Sequence, residues 1–242
     1  MAQRATLQAS LEAQLHHSER LASLGRMIAG VAHEIRNPLG IVRSTAELLG
    51  SRVEPKQKAL AEVIVEESTR LGRIVTEFLD FARPQTPELK PLQVEEVLER
   101  NLQALGPEAQ RAGVGVVRRF APRPLPCLGD PDLLYRAFLN IFNNALQAME
   151  EQGGGTLTVS TGQTEFQGRP WLVVAVEDTG PGFEPEAIGR LFDPFFTTKE
   201  QGTGLGLSIV GSIVASHQGR LEVGAAPGGG ARVELWLRAV GS

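Results

Sequence analysis

Two short glycine-rich segments in the second half of the chain could let a ligand approach the backbone closely. Residues 178–182 read Asp-Thr-Gly-Pro-Gly, and residues 202–207 read Gly-Thr-Gly-Leu-Gly-Leu. The first half contains a candidate nucleophile, His33, in the run His-Glu-Ile-Arg-Asn-Pro-Leu at residues 33–39. This combination suggests that one domain binds a nucleotide and that a histidine of the other domain receives its phosphoryl group.

The residues around His33 favour a chemical role over that of an ordinary exposed histidine. Glu34 can accept the ring proton and favour one tautomer, which leaves the other ring nitrogen free to act as a nucleophile. Asn37 follows one helical turn later on the same face, where it can position a water molecule or a phosphoryl oxygen. The remaining histidines lack such neighbours and are interpreted as solvated or structural: His16, His17 and His217.

Asparagine is a poor residue for the interior of a helix, yet one predicted helix carries three within five positions. Asn140 and Asn144 are four residues apart and share a helix face, where their side-chain oxygens could bind Mg²⁺ that bridges phosphates. Asp178 ends an apolar strand and could accept a hydrogen bond from an exocyclic amine, which favours adenine over guanine. Gly180 and Gly182 would let the backbone turn tightly beside the base, although the same residues also suit a plain turn.

The stretch that leads into the second glycine segment reads Phe-Asp-Pro-Phe-Phe-Thr-Thr-Lys at residues 192–199. We interpret Phe192 and Phe195 as residues that dock a mobile loop, with Lys199 able to reach phosphate. The glycine segment then opens a predicted helix, and backbone N–H groups at a helix N-terminus form an anion site. The predicted ligand contacts of that segment are Gly202, Thr203, Gly204, Leu205 and Gly206.

The hydrophobic pattern divides the chain into two parts. Residues 1–83 look helical, because apolar side chains recur at helical spacing from Leu24 to Leu49 and again from Leu60 to Phe81. The run at residues 50–55 breaks the two stripes apart, which predicts an antiparallel helical hairpin. One hairpin cannot cover its own apolar side, so we expect a homodimer that forms a four-helix bundle.

After residue 83 helices and strands mix without regular alternation. The last two strands are close enough for a hairpin, which argues for an α/β sandwich whose mixed sheet is covered on one face. The predicted helices span 93–112, 130–152 and 205–217, and the predicted strands 114–120, 156–163, 171–177, 219–224 and 231–238. The predicted organisation is a helical lead-in at 1–20, a hairpin domain at 21–83, a linker at 84–89 and a nucleotide-binding domain at 90–242.

Composition limits the class of protein. Apolar residues make up 42% of the 242, enough for an ordinary globular core, and a single cysteine excludes an intrachain disulfide. The net charge of −4 argues against a nucleic-acid-binding protein. No apolar run approaches the roughly 18 residues that span a bilayer. We therefore expect a cytoplasmic chain without a membrane segment, or the cytoplasmic part of a longer membrane-bound protein.

Taken together, these motifs resemble the catalytic portion of two-component sensor histidine kinases. His33-Glu-Ile-Arg-Asn-Pro-Leu is similar to the family's phosphoacceptor box, and Asn140-Ile-Phe-Asn-Asn144-Ala is similar to its asparagine box. Asp178-Thr-Gly-Pro-Gly, Phe192-Asp-Pro-Phe and Gly202-Thr-Gly-Leu-Gly-Leu resemble its remaining boxes, and all five occur in the family's order. The form of the first two boxes is similar to the nitrogen-regulation branch.

The resemblance implies a dimerisation and histidine-phosphotransfer hairpin followed by an ATP-binding domain of the Bergerat type. It implies autophosphorylation of His33 from ATP and Mg²⁺, then transfer to an aspartate of a response regulator. His33 would be the nucleophile, Glu34 the base, and Asn37 the residue that supports phosphatase chemistry. The nucleotide residues would hold Mg²⁺ (Asn140, Asn144), read adenine (Asp178) and flank the phosphates (Gly202, Gly204, Gly206). No sensor domain is evident, so an upstream sensor would have to lie elsewhere.

Two other functions fit part of the sequence. An ATPase of the same fold that drives a conformational cycle would explain residues 86–242 but would leave Glu34, Asn37 and the hairpin stripe without a role. A degenerate kinase that acts as a dimeric scaffold, or mainly as a phosphatase of its regulator, would also fit the hairpin. The intact nucleotide motifs argue against degeneracy, and stable label on His33 would separate the kinase from the ATPase.

Overall fold

The computed structural model describes residues 35–82, 86–122, 125–199 and 202–240. The chain divides into two compact units, Met1–Pro84 and Gln85–Ser242. The predicted lead-in and two of the predicted catalytic residues, His33 and Glu34, lie outside the described residues. The finer boundaries given above for the lead-in and the linker stay predictions.

The first unit contains a helical hairpin. Helix α1 covers residues 35–50 of the described region, and α2 spans Pro55–Ala82. They are joined by a turn at residues 51–54, inside the predicted break. Proline is well placed at the first position of α2, because a helix N-terminus leaves that N–H unused.

Small residues let the two helices of the hairpin approach closely. Ala46 is 4% exposed and Ala61 2%, and a Cβ on Gly50 would lie 3.2 Å from the Ala61 Cβ. Further along the hairpin, Arg36 Nη2 donates a hydrogen bond of 3.0 Å to Thr76 Oγ1. The predicted hairpin is therefore confirmed within the described residues.

Much of the predicted apolar stripe is exposed in the single chain. Leu60 is 67% exposed, and several other stripe residues are also exposed: Ile35, Val42, Leu49, Ile64 and Leu71. Exposed apolar patches of this extent mark interaction surfaces in soluble proteins. The expected second copy would cover them, and the four-helix bundle stays a prediction.

The second unit is built on a five-stranded sheet with the order β2-β4-β5-β7-β6. Strands β2 and β4 are parallel, whereas the other neighbours are antiparallel, so the predicted mixed sheet is confirmed. The strands are β2 (Val114–Arg119), β4 (Gly155–Phe166), β5 (Arg169–Glu177), β6 (Arg220–Ala225) and β7 (Ala231–Arg238).

Three α-helices complete the described part of this unit: α3 (Val94–Arg111), α4 (Pro131–Glu150) and α5 (Gly206–Ser216). Alternate residues along the central strands are buried, as expected of a sheet with one covered face. These side chains form the core with the apolar faces of the helices, and they include Val159, Leu172, Val174, Val176, Val233, Leu235 and Leu237.

Two short strands escaped sequence prediction. Strands β1 (Lys90–Leu92) and β3 (Cys127–Gly129) form a separate antiparallel pair. Three residues are too few to show an alternating pattern, so sequence reasoning had no signal for them.

Cys127 lies in β3, where burial, followed by the charge of Glu95, raises the pKa of its thiol to about 12. The thiol is therefore protonated at neutral pH and unreactive.

The N-terminus of α4 is fixed by Asp130. Its Oδ1 accepts hydrogen bonds from the N–H groups of Asp132 (3.0 Å) and Leu133 (3.2 Å). Its Oδ2 accepts one from the N–H of Glu88 at 3.0 Å. Burial is the largest single influence and would raise the pKa of this carboxyl, but the hydrogen bonds from the three N–H groups oppose it, and the pKa lies below its ordinary value.

Asp130→Ala is expected to lower the free energy of unfolding by about 1–2 kcal/mol at pH 7, because it removes this helix cap. The Asp130 carboxyl has a depressed pKa, so its contribution is complete above the ordinary carboxyl pKa and is lost as pH falls through the folded value. Urea unfolding at pH 7 and near pH 3 should therefore show a smaller difference at the lower pH. Asp132→Ala is the matched control, since that side chain is 82% exposed. Equal losses in the two variants would contradict the capping role.

Candidate functional site

The packing of α5 against α4 brings three of the predicted site residues together. A Cβ on Gly206, the first residue of α5, would lie 3.5 Å from Asn144 Nδ2 and 3.7 Å from Asn140 Oδ1. Asn140 Nδ2 donates to the Arg136 carbonyl at 3.0 Å, which orients the amide. The two amide side chains therefore face the N-terminus of α5, the end of a helix that attracts anions.

Asp178 lies immediately after β5, and its carboxylate is fixed by neighbouring backbone. Its Oδ1 accepts hydrogen bonds from the N–H groups of Gly180 (2.9 Å) and Ala231 (3.1 Å), and its own N–H donates to the Ala231 carbonyl. Among the residues that the structure describes, none donates to Oδ2. The carboxylate is thus buried and rigid, with one oxygen available to a ligand.

Glycines make room for the Asp178 carboxylate. Gly230 has a φ of +84°, and a Cβ there would overlap the Asp178 carbonyl oxygen and lie 3.0 Å from Oδ1. Gly182 has a φ of +78°, and a Cβ there would lie 3.1 Å from the Gly230 carbonyl oxygen. Gly180 approaches Asp178 Oδ1 in the same way, at 3.1 Å. Sequence reasoning missed Gly230, for which the run of three glycines at 228–230 was the available signal.

The phenylalanine run packs against the second glycine segment through its backbone. Gly204 has a φ of +67°, and a Cβ there would lie 2.7 Å from the Phe196 nitrogen. The Phe195 N–H donates to the Gly204 carbonyl at 3.0 Å. The Phe192 ring lies beside α5, since a Cβ on Gly211 would be 3.9 Å from its Cδ1.

Phe195 contacts the glycine segment through its main chain, and the expected docking role of its ring stays a prediction. The ring is 59% exposed, and the residue has a φ of 67°. Its backbone makes the hydrogen bond to Gly204, so the left-handed conformation serves the main chain rather than the burial of the ring. The Phe196 ring is held by Arg190, whose guanidinium carbon lies 4.4 Å from the ring centroid.

Lys199 is held against α4. Its Nζ donates to Gln147 Oε1 at 3.1 Å and to the Asn144 carbonyl at 3.4 Å. Burial lowers the pKa of Lys199, and the charges of Glu151 and Asp178 oppose this shift. The ammonium group therefore lies beside the Asn144 face before any ligand is considered. Gln147 is a second residue that sequence reasoning did not single out.

The other members of the glycine segment have structural partners. The Gly202 N–H donates to the Lys199 carbonyl at 3.2 Å, and a Cβ there would overlap Thr197 Oγ1. The Leu205 N–H donates to Thr203 Oγ1 at 3.3 Å. The Leu205 side chain is buried, so it is a core residue and offers a ligand no more than its backbone.

Asn37 is exposed on α1, in the first unit of the chain. The second unit thus brings close together Asn140, Asn144, Lys199 and Gly206. Asn37 belongs to the first unit. His33 and Glu34 lie outside the described residues.

Two protein families match the chain. Residues 23–87 match the His Kinase A (phospho-acceptor) domain, and residues 129–241 match the family described as histidine kinase-, DNA gyrase B- and HSP90-like ATPase. The chain belongs to the sensor histidine kinase family and carries its catalytic portion. Every motif of the sequence analysis falls within one of these two matches.

Characterised relatives agree with this assignment. Sensor histidine kinase ZraS of Escherichia coli O157:H7 is 35% identical over 230 residues, which cover 94% of this chain and 49% of the relative. The sensory histidine kinase/phosphatase NtrB of Rhodobacter capsulatus is 34% identical, over 82% of this chain and 58% of the relative. The match to NtrB accords with the predicted resemblance to the nitrogen-regulation branch. The chain spans about half the length of the relatives it matches most strongly.

Solved structures show the same fold. Full-length ShkA in complex with AMPPNP has a TM-score of 0.72 and 27% identity, and the match covers 90% of this chain and 47% of ShkA. ThkA in complex with the response regulator TrrA has a TM-score of 0.64 and 25% identity, over 92% of this chain and 64% of ThkA. The second unit is thus a Bergerat-type ATPase domain, as the sequence predicted.

Within the described residues, no helix is both long and apolar enough to span a membrane.

Gly230→Ala is expected to disturb the Asp178 carboxylate and weaken nucleotide binding. The added Cβ would overlap the Asp178 carbonyl, and a positive φ is unfavourable for alanine, so we expect a loss of about 1–3 kcal/mol in stability as well. ATP titration calorimetry and thermal unfolding would measure both effects. Gly228→Ala is the matched control, because a Cβ there meets no atom within 4 Å. Equal behaviour of the two variants would remove Gly230 from the site.

Proposed function

We propose that this kinase transfers a phosphoryl group from ATP, with Mg²⁺, to His33 and then to an aspartate of a response regulator. The observation that carries the proposal is the close packing of Gly206 against Asn140 and Asn144 of α4. This packing lies in an ATPase-type domain, and the same chain contains a phospho-acceptor domain. ATP binding follows from the ATPase family of the second unit. The division of roles among the residues below is our proposal.

The adenine base would be read by Asp178. Its Oδ1 is occupied by two backbone N–H groups, so Oδ2 is the oxygen that can accept a hydrogen bond from the exocyclic amine. Guanine carries a carbonyl at the corresponding position, and two acceptors would then face each other without a proton between them. Gly180 and Gly182 leave the backbone beside the carboxylate free of side chains.

The triphosphate would lie along the glycine segment at the start of α5. Gly202, Thr203, Gly204 and Gly206 offer backbone close to the ligand, and Leu205 adds its N–H alone. Lys199 supplies a positive charge next to the Asn144 carbonyl. Together with the helix dipole of α5, these groups would offset the charge of the phosphates in an otherwise acidic chain.

The amide oxygens of Asn140 and Asn144 fit the chemistry of Mg²⁺, which prefers oxygen ligands and keeps several of its waters. Gly206 leaves space in front of both amides, where a larger residue would fill the gap. When bound, the ion would neutralise charge that develops on the transferred group. Asn140 and Asn144 are the residues that would hold it.

On the hairpin, a ring nitrogen of His33 would attack the terminal phosphorus. A P–N bond forms, the P–O bond to the β-phosphate breaks, and ADP leaves. Glu34 would take the ring proton as the base. An aspartate of the regulator would later attack the same phosphorus, so that a P–O bond replaces the P–N bond and the histidine is regenerated.

Asn37 would support a phosphatase activity of the hairpin, the removal of phosphate from the regulator. Its side chain lies on the exposed surface of α1, where it could orient a water that hydrolyses the phosphorylated regulator. NtrB, one of the relatives, is named as a kinase/phosphatase. Phosphatase activity is therefore the second function that we propose for the same hairpin.

The partners of the chain follow from this scheme. A second copy would bury the exposed apolar face of the hairpin in a four-helix bundle. The response regulator would dock to the kinase, as TrrA does to ThkA. We place the reaction in the cytoplasm, as part of a longer sensor whose input domain lies outside this chain.

His33→Gln is expected to abolish phosphorylation and leave the ATP affinity within about twofold, since nucleophile and nucleotide site belong to different units. Label from γ-labelled ATP should be acid-labile and base-stable, as a P–N bond is. Asn144→Asp is the matched comparison, because it should reduce labelling through the nucleotide site instead. Phosphate release without any protein-bound label would favour the ATPase alternative, and an acid-stable label would contradict His33 as acceptor.

Leu71→Glu is expected to convert a dimer into monomers. Leu71 is 41% exposed in the single chain, and a charge placed in a buried dimer interface would be strongly unfavourable. Sedimentation velocity at micromolar concentration would measure the change. Thr69→Glu is the control for added charge, since Thr69 is exposed on the side of α2 opposite the apolar stripe. A wild-type chain that sediments as a folded monomer would overturn the four-helix bundle.

A further inference from the structure

His217 joins the end of α5 to the beginning of α4. It follows the last residue of α5, and its side chain is 2% exposed. Its Nε2 lies 2.9 Å from the backbone nitrogen of Asp130, the residue that caps α4. Its Nδ1 lies 2.8 Å from the Ile213 carbonyl oxygen, one turn back in α5. The sequence predicts a solvated or structural histidine here, and the structure shows a buried one.

These two contacts determine the state of the ring; a third, from Nδ1 to Ser216 Oγ at 3.4 Å, is longer, and that hydroxyl donates to the Ile213 carbonyl. A backbone N–H can donate but cannot accept, so Nε2 must be unprotonated and must accept the Asp130 hydrogen bond. A carbonyl oxygen can accept but cannot donate, so Nδ1 must carry the proton. A neutral imidazole in this one tautomer satisfies both partners. His217 is therefore a bridge between two helices.

The proposed nucleotide site lies at the other end of α5 and beside the middle of α4. Helix α5 begins at Gly206, which faces Asn140 and Asn144 of α4. It ends next to His217, which bonds to the residue that caps α4. Because a helix is nearly rigid along its axis, a shift at one end of α5 is transmitted to the other end. The bridge is also close to the predicted linker, since Asp130 Oδ2 accepts the Glu88 N–H.

We propose that His217 is a positioning residue for the kinase. By accepting the Asp130 N–H it fixes the register of α5 against α4, and so sets the position of Gly206 relative to Asn140 and Asn144. It does not touch the nucleotide. This inference rests on the proposed function, because it assumes that these residues bind the phosphates of ATP.

Two substitutions separate the bridge from the histidine's contact within its own helix. Asparagine can reproduce the bond to the Ile213 carbonyl, as Asn101 and Asn140 already do with the carbonyls four residues before them. It is too short to reach Asp130. Glutamine is long enough to place its Oε1 near the position of Nε2 and accept the Asp130 N–H.

The test measures the Kd of a non-hydrolysable ATP analogue and the KM and kcat for labelling of the full chain. His217→Asn should raise Kd and KM by about 5- to 10-fold with kcat changed less than about twofold, and His217→Gln should stay within about threefold of wild type. A destabilised control is Val159→Ala, which opens a core position of β4 and leaves the bond between the helices intact. Its Tm should fall while its Kd is unchanged.

Other outcomes overturn the inference. If His217→Asn binds the analogue like wild type, or if Val159→Ala loses as much affinity at a similar Tm, then His217 contributes stability alone. If Gln fails to restore affinity although the variant is folded, the Asp130 bond is not the cause. A wild-type chain that binds the analogue but gains no label would refute the proposed phosphotransfer and leave the affinity comparison valid.

Discussion

The proposed nucleotide site depends on the packing of α5 against α4, which places Gly206 next to two amide side chains. A Cβ at Gly206 would meet Asn140 and Asn144 at ordinary contact distance, so a longer side chain would occupy the space in front of both amides. The close approach puts the positive end of a helix and two neutral oxygen donors at one place, which suits a phosphate chain with a bound cation.

A second constraint acts on the base-recognition end of the site. Asp178 is placed by a strand end, and its Oδ1 is held by backbone N–H groups from two segments distant in sequence. A buried carboxylate is costly unless it is hydrogen-bonded, so these donors make the position tolerable. The remaining oxygen then has one direction in which to accept a bond. The glycines at 182 and 230 are required because backbone, rather than side chains, surrounds the carboxylate.

The hairpin has the opposite character, because much of its apolar surface is exposed. Ala46 and Ala61 bring the two helices together, whereas Leu60, Val63 and Ile41 are more than half exposed. A chain with such a face is stabilised by association. The two units thus differ physically: the ATPase domain buries its core within the chain, whereas the hairpin leaves an apolar face that the proposed second copy would cover.

The sequence by itself determined the hairpin, the mixed sheet and the group of motifs, since each rests on local periodicity or local residue chemistry. The spacing of Asn140 and Asn144 predicts a shared face because helical geometry is set by the backbone. Local patterns cannot express how far a side chain is buried, as the exposed Phe195 ring shows. Nor can they express contacts between distant residues, which the tertiary structure decided. These contacts are the packing of Gly230 against Asp178, the hydrogen bond from Lys199 to Gln147 and the hydrogen bond from the Asp130 N–H to His217. Each of these joins residues separated by many positions, so its energy depends on packing that arises after the elements have formed.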